Sequence, residues 1–295
     1  MFYKLSSLLF PLCIIIGVVL GFLYFYKKIK QFDFDKKTSE RLIIIICYAG
    51  IAFYLGARFF DDLFHFLNNE PWGKGGITFL GGCLSALIVF GTLFFFFLKE
   101  KRMIFFKLMN IIVAAICLGH AFGRIGCFCA GCCYGAVTES PIGITFPGEG
   151  YQYYGNGRYT VSGSPAYMDL FEDYLDRNAF DYAIEYGTED DLQLLLEFAD
   201  DYASKTKLIP TQLIEAAFLL ILFFILANIS KHQTVIYMIA YGVYRIFAET
   251  LRNDNRGSIG LSISPAQFLS IFMILMGIAL FILYIYLNKK KKMDI

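Results

Sequence analysis

Charge is what this 295-residue chain has least of. Only 17% of its residues are Asp, Glu, Lys or Arg, while 57% are apolar and 18% aromatic. A soluble domain of this length normally carries about a quarter charged residues, so the composition excludes an ordinary soluble fold. The formal net charge is +1, and the basic residues fall in clusters between long apolar runs. That pattern lacks the broad basic face needed to bind nucleic acid. No small-x-small cleavage site follows the first apolar run, which therefore reads as a span and not as a cleaved leader. Leu12 stands where a lipobox would need a small residue, so Cys13 is not itself a lipidation site. An internal repeat of the transporter kind is also lacking.

What the chain does have is seven apolar stretches, near 5–26, 42–60, 77–98, 103–123, 211–230, 233–252 and 264–287. Each is long enough as a helix to cross a hydrocarbon core of about 30 Å. The lysines and arginines set the direction of the spans. Lys27, Lys28, Lys30, Lys36, Lys37 and Arg41 lie on one side, with Lys99, Lys101, Arg102, Lys231 and the tail Lys289 to Lys292. The alternate loops, DDLFHFLNNEPWGKGG among them, are poorer in basic residues. The expected fold class is an all-α polytopic membrane protein with seven transmembrane helices. Its N-terminus lies outside, its C-terminus is cytoplasmic, and a small extracytoplasmic head precedes the fifth span. The expected organisation is helices one to four over 1–126, a signature turn and head over 127–207, and helices five to seven with a basic tail over 208–295.

The head segment, Pro147 to Lys207, holds 13 acids against four basic residues, with nine tyrosines. Ser164-Pro165 reads as a helix start. Thr188 followed by Asp191 reads as a capping pattern ahead of the amphipathic run Leu192, Leu195, Leu196, Ala199, Tyr202. The tyrosines suit either lipid headgroups or packing in a small core.

Ionisable groups inside a spanning helix are costly and usually mark function. The sixth span, QTVIYMIAYGVYRIFAETLR, places Tyr241, Arg245, Glu249 and Arg252 at spacings of four, four and three. At about 100° per residue they share one helix face. By the expected topology, His120 and Arg124 end the fourth span on the outer side, Arg58 ends the second, and PTQLIE with Glu215 begins the fifth. Arginines grouped at headgroup depth suit a phosphate, which guanidinium binds through paired, charge-assisted hydrogen bonds. Gly76, Gly81 and Gly82 would allow close approach of a lipid or of a neighbouring helix.

The stretch GHAFGRIGCFCAGCCYG, residues 119–135, carries four of the eight cysteines. Cys129 and Cys132 have the spacing of a dithiol redox pair, with Cys127 and Cys133 flanking them. A zinc site usually draws its ligands from two separated pairs, and a second pair is missing here. The sequence leaves open a redox pair, a structural disulfide or simple packing of small residues.

In order along the chain, LGARFFDDLF, GGITFLGG, GRIGCFCAGCCYG, PTQLIEA and YGVYRIFAETLR resemble the motifs of the prolipoprotein diacylglyceryl transferases of bacterial membranes. The resemblance covers most of the chain. It implies transfer of the diacylglyceryl group of phosphatidylglycerol to the thiol of a lipobox cysteine in a prolipoprotein, with release of glycerol phosphate. It implies a multi-pass protein of the bacterial inner membrane, and chemistry that requires neither a soluble cofactor nor a metal. Arg124 matches the arginine of the family's glycine–arginine signature and Gly135 its closing glycine. Arg245, Tyr241 and Glu249 match the sixth-span motif.

Three positions depart from the family pattern. Cys127 replaces an asparagine, Cys132 a glutamate, and Leu80 a histidine favoured for activating the thiol. His120, one helical turn before Arg124, is the nearest substitute base, since His65 lies in a loop and His232 on the cytoplasmic side. The expected catalytic set is therefore His120, Arg124, Arg245, Tyr241 and Glu249. Expected substrate contacts are Arg58, Gly76, Gly81, Gly82, Cys127, Gly131, Gly135, Glu215 and Arg252. The alternatives are a paralogue that transfers a lipid or phospho-group to another acceptor, and a membrane thiol–disulfide oxidoreductase using Cys129 and Cys132. A transporter would need ionisable groups along the whole path.

Overall fold

A long helix occupies each of the seven apolar stretches. The computed structural model describes residues 2–32, 34–67, 72, 78–178, 180–252 and 264–293. The first four long helices are α1 (Phe2–Ile29), α2 (Lys36–Leu67), α3 (Phe79–Phe97) and α4 (Phe105–Ala130). Then come strands β1 (Gly148–Gly155) and β2 (Arg158–Gly163), and helices α5 (Pro165–Arg177), α6 (Phe180–Tyr186) and α7 (Glu189–Lys205). The last long helices are α8 (Thr211–Asn228), α9 (Gln233–Thr250) and α10 (Pro265–Met293).

Among the described residues, five segments are long and apolar enough to cross a membrane: Leu8–Phe32, Lys36–Leu67, Phe105–Ala130, Thr211–Asn228 and Ala266–Tyr286. Gly81–Phe97 is a shorter apolar helix. The helix α9, which carries Arg245 and Glu249, is not one of the five. The protein is a mostly helical, polytopic membrane protein. Many large apolar side chains of these helices, Phe96, Ile221, Phe224 and Ile282 among them, face outward, as they do when the surrounding solvent is lipid.

The expectation of an all-α fold needs correction, because β1 and β2 pair antiparallel through Tyr151↔Val161, Gln152↔Thr160 and Tyr153↔Tyr159. The physical reason is the turn. Gly155 pairs with Arg158 and leaves Asn156-Gly157 as a two-residue connection, both at positive φ (52° and 69°). Asn-Gly is the pair that this tight, twist-matched hairpin turn prefers.

The chain forms two compact units. One takes in residues 1–21, 117–222 and 250–254. A core lies in the head, where Tyr167, Phe171, Leu192, Leu196 and Ala199 are buried and Tyr151, Tyr153, Tyr159, Tyr174 and Tyr202 pack around them. The helix starts are as the sequence predicts. Ser164 accepts from the Tyr167 N–H, and Thr188 and Asp191 form a reciprocal capping box. Packing rather than headgroup contact accounts for these tyrosines.

The other unit takes in 22–116, 223–249 and 255–295. Its core gathers Leu42, Ile45, Phe90, Phe94, Leu98 and Leu108. Helices α2 and α3 approach closely, because a Cβ on Gly81 would meet Phe60 at 2.5 Å and one on Gly82 would meet the Phe53 carbonyl at 2.8 Å. Helices α9 and α10 do the same at Gly242, against Ile274. Small residues that let backbones approach are the usual means of packing helices where lipid removes the hydrophobic drive.

Candidate functional site

α4 runs on past Arg124 to Ala130, further than the apolar stretch 103–123 implies. Gly123 and Gly126 do not stop it, and the first left-handed residue is Gly131, at φ 67°. His120, Arg124 and Cys127 therefore lie at spacings of four and three on one face of a continuous helix.

From the start of α8, Glu215 meets that face. Its Oε1 lies 3.1 Å from Arg124 Nε and 3.6 Å from His120 Nε2. Both are ion-pair contacts, the first much the closer. Glu215 is 2% exposed and His120 7%. A carboxylate here is tolerated because the guanidinium balances it, and removing either partner would strand a buried charge. A sulfur hydrogen bond from Cys117 to the Leu219 carbonyl also joins α4 to α8.

Beyond Ala130 the chain makes a tight turn held from three sides. Thr211 Oγ1 donates to the Cys133 carbonyl (2.8 Å) and Gln212 Nε2 to the Cys132 carbonyl (2.6 Å). The Gly135 N–H donates to Ile209 O and the Ala136 N–H to Leu251 O. A Cβ on Gly135 would come within 2.7 Å of that Leu251 carbonyl, so the close backbone approach explains the glycine. Cys133 is itself left-handed, at φ 62°, an uncommon conformation for a residue with a side chain.

The turn gathers three sulfurs. The Sγ atoms of Cys127, Cys132 and Cys133 all lie within 4.8 Å of one another. Thiol donation from Cys127 and Cys132, with the Arg124 and Arg252 guanidiniums nearby, holds the Cys133 thiol well below the ordinary thiol range. Cys129, whose spacing to Cys132 left a redox pair open, lies instead against Cys13 of α1. The dithiol spacing in the sequence thus does not describe the cluster that forms.

In the second unit, α9 carries its own buried charge pair. Arg245 Nη2 lies 3.1 Å from Glu249 Oε2, and Arg245 is 4% exposed. Its Nη1 is buried with no hydrogen-bond partner among the described residues. Tyr241 stacks on Tyr237 (centroids 5.5 Å apart) and on Tyr244 (6.4 Å). The four-residue stripe expected on this helix is shorter than its spacing implies. α9 ends at Thr250, and Arg252 lies beyond it, in the same compact unit as Cys133.

The structure thus brings together His120, Arg124 and Glu215; Cys127 with two further cysteines; and Arg245 with Glu249. Arg58 is half-buried on α2. Gly81 and Gly82 are accounted for by helix packing, and Gly76 lies outside the described residues. The sequence reading passed over Thr211 and Gln212, although PTQLIE contains both. Gln212 is 1% exposed, and an amide in the first turn of an apolar helix was the available signal. Asp61 was also missed; it accepts from Thr78 Oγ1 at 2.8 Å and so ties α2 to the start of α3.

Buried guanidinium–carboxylate pairs within apolar helices are costly and are the kind of feature that marks a functional site in a membrane protein. The family model of prolipoprotein diacylglyceryl transferase matches residues 3–283, and the chain belongs to that family of membrane transferases. It is 30% identical over 278 residues to phosphatidylglycerol–prolipoprotein diacylglyceryl transferase 2 of Clostridium perfringens (strain 13 / Type A), covering 90% of this chain and 86% of that one. It is 26% identical over 278 residues to the phosphatidylglycerol–prolipoprotein diacylglyceryl transferase of Clostridium tetani, covering 91% and 89%. A similar transferase of Rickettsia africae is 26% identical over 291 residues, covering 91% and 88%.

Proposed function

We propose that this protein transfers the diacylglyceryl group of phosphatidylglycerol to the thiol of a lipobox cysteine in a prolipoprotein, releasing glycerol phosphate. The proposed setting is the outer leaflet of a bacterial inner membrane. The proposed topology is seven spans with the N-terminus outside, supported by a helix at each apolar stretch and by the basic clusters between them.

The observation that carries the reading is Arg245. A guanidinium buried in an apolar helix, paired through Nη2 and with Nη1 unmatched among the described residues, is a donor set prepared for an anionic oxygen. The reaction builds negative charge on a departing phosphate, and a preorganised cation in a dry site stabilises that charge far better than water does. Glu249 orients the guanidinium, and the tyrosine stack fixes the helix face it projects from.

Arg124 takes the same role on α4. Glu215 Oε1 faces the Nε2 edge of His120 at 3.6 Å, so Nδ1 is the ring nitrogen turned away from the carboxylate. That nitrogen would take the acceptor thiol's proton, since the thiolate is the reactive form. The thiolate sulfur then attacks the glyceryl carbon, the C–O bond to phosphate breaks, and a thioether forms.

Purified protein in lipid, given labelled phosphatidylglycerol and a lipobox peptide, should yield the thioether-linked lipopeptide. Folded protein that yields none rules the reading out. A second reading, a paralogue with a different acceptor, is favoured by Cys127, Cys132 and Leu80 standing in place of family polar groups. Expression in a transferase-depleted bacterium separates the two, because a paralogue will not restore lipoprotein maturation.

A further inference from the structure

We propose that Cys127, Cys132 and Cys133 form a binding site for one thiophilic divalent ion, Zn²⁺ by chemical class, with a fourth coordination position left to an exogenous ligand. Sulfur donors select soft and borderline ions such as zinc over magnesium or calcium. Zinc–thiolate bonds are about 2.3 Å, which sets tetrahedral sulfurs about 3.8 Å apart. The three Sγ atoms already lie within 4.8 Å of one another, so closing on an ion takes shifts of side chains and not of helices.

The backbone is built for this arrangement. Cys127 projects from the last turn of α4, and the Cys132 N–H donates back to the Cys127 carbonyl (3.1 Å). Left-handed conformations at Gly131 and Cys133 reverse the chain, which brings two adjacent cysteines to a common point with the third. The carbonyls of Cys132 and Cys133 are each pinned by a side chain of α8. Such outer contacts are what orient the ligands of a metal site. Gln212 spends its amide N–H there and keeps a buried Oε1 with no hydrogen-bond partner among the described residues.

A disulfide accounts for the cluster less well. Three sulfurs cannot all pair, and the eight cysteines of the chain are free thiols in the structure. Three thiolates and a dication sum to one negative charge, which the Arg252 guanidinium close to Cys133 offsets.

Three protein ligands and an open fourth position characterise catalytic rather than structural zinc. Resting on the transferase reading, the fourth ligand is the acceptor thiol. It loses its proton on binding, as coordinated thiols do, and His120 takes that proton as proposed above. The metal-bound sulfur attacks the glyceryl carbon bearing phosphate. The C–S bond forms, the C–O bond breaks, and its electron pair leaves with glycerol phosphate, which takes up a proton. No electrons are exchanged. The site would thereby add to the thiol activation proposed for His120, in a chain that has Leu80 where its family keeps a histidine.

The test is the metal content of the full-length protein, purified under reducing conditions without chelator and titrated with Zn²⁺ and Co²⁺. One zinc per chain is expected, together with a sulfur-to-cobalt charge-transfer band in the cobalt form. Cys132→Ser and Cys133→Ser should each abolish stoichiometric binding. Cys129→Ser should retain it, and Gln212→Ala should weaken it about 10-fold. Wild-type protein with no thiolate–cobalt band, or with a disulfide among the three cysteines by peptide mass mapping, overturns the site. So does equal loss of metal in Cys129→Ser. Zinc-loaded protein that forms no thioether overturns the transferase reading and leaves the site standing; full transfer by metal-free protein overturns the role of the ion in activating the acceptor thiol.

Discussion

The head and the spanning helices both place acidic residues beside polar partners, and they do so for different ends. In the head, carboxylates accept from phenols: Tyr134 pairs with Asp169, Tyr153 with Glu189, Tyr159 with Glu172 and Tyr167 with Asp200. These pairs carry the ring inward and leave the acid near water, so they contribute to packing and cost little desolvation. In the long apolar helices α8 and α9, Glu215 and Glu249 sit against guanidiniums and are largely enclosed. A buried ion pair is a poor source of stability when compared with apolar packing. Its presence in a chain so short of charge is what the proposed anion-holding role accounts for.

Several substitutions break or sharpen that contrast. The largest effect is expected at Glu215→Ala, which strands the Arg124 guanidinium and should destabilise the protein by about 3 kcal/mol or more, read as a fall in thermal midpoint in detergent. Glu215→Gln should recover part of that loss while leaving His120 without its carboxylate. Next, Arg245→Lys, which keeps a positive charge beside Glu249, should lower kcat for thioether formation by about 10²-fold with the fold intact. A loss of folding comparable to that of Glu215→Ala would mean that the α9 pair is structural, like the head pairs.

A smaller effect belongs to the head. Tyr167 is fully buried, and Tyr167→Phe should cost about 1 kcal/mol by removing the hydrogen bond to Asp200, with no change in kcat. The smallest is the pH response. Hydrogen bonds from Tyr153 and from the Asn156 N–H hold Glu189 below the ordinary carboxylate range, and Thr188 does the same for Asp191. Burial, and then Asp200, raise Tyr167 above the ordinary phenol range. Depressed carboxylates give stability that is present above about pH 4 and is lost as pH falls through their folded values. A raised phenol gives stability that is present below about pH 10 and is lost above it. Near-ultraviolet circular dichroism of the tyrosines should therefore show the head loosening at both extremes, and a flat profile would contradict this account of its acids.

Much of this was legible in the chain alone. The apolar runs locate the seven long helices because helix length and hydrophobicity are local properties. Ser164 and Thr188 announce their helices because a cap is formed within three residues. His120 and Arg124 read together because four residues make one helical turn, and Arg245 with Glu249 for the same reason. The Asn156-Gly157 hairpin was equally local, and it was overlooked among the tyrosines.

Other features could not be read from spacing. Glu215 reaches Arg124 across 91 positions of sequence, and only the packing of α4 on α8 makes them partners. The sulfur pairing shows the limit most clearly. By spacing, Cys129 belongs with Cys132, but Cys129 lies within a helix whose geometry turns it toward Cys13. Cys132 turns instead toward Cys127 and Cys133, through two left-handed residues and two hydrogen bonds from α8. The sequence by itself determined that this protein lives in a membrane, where its helices run and which buried charges would need partners, since hydrophobicity and helical period act over a few residues. The tertiary structure decided which partner each charge and each sulfur found, because those contacts are set by how whole helices pack.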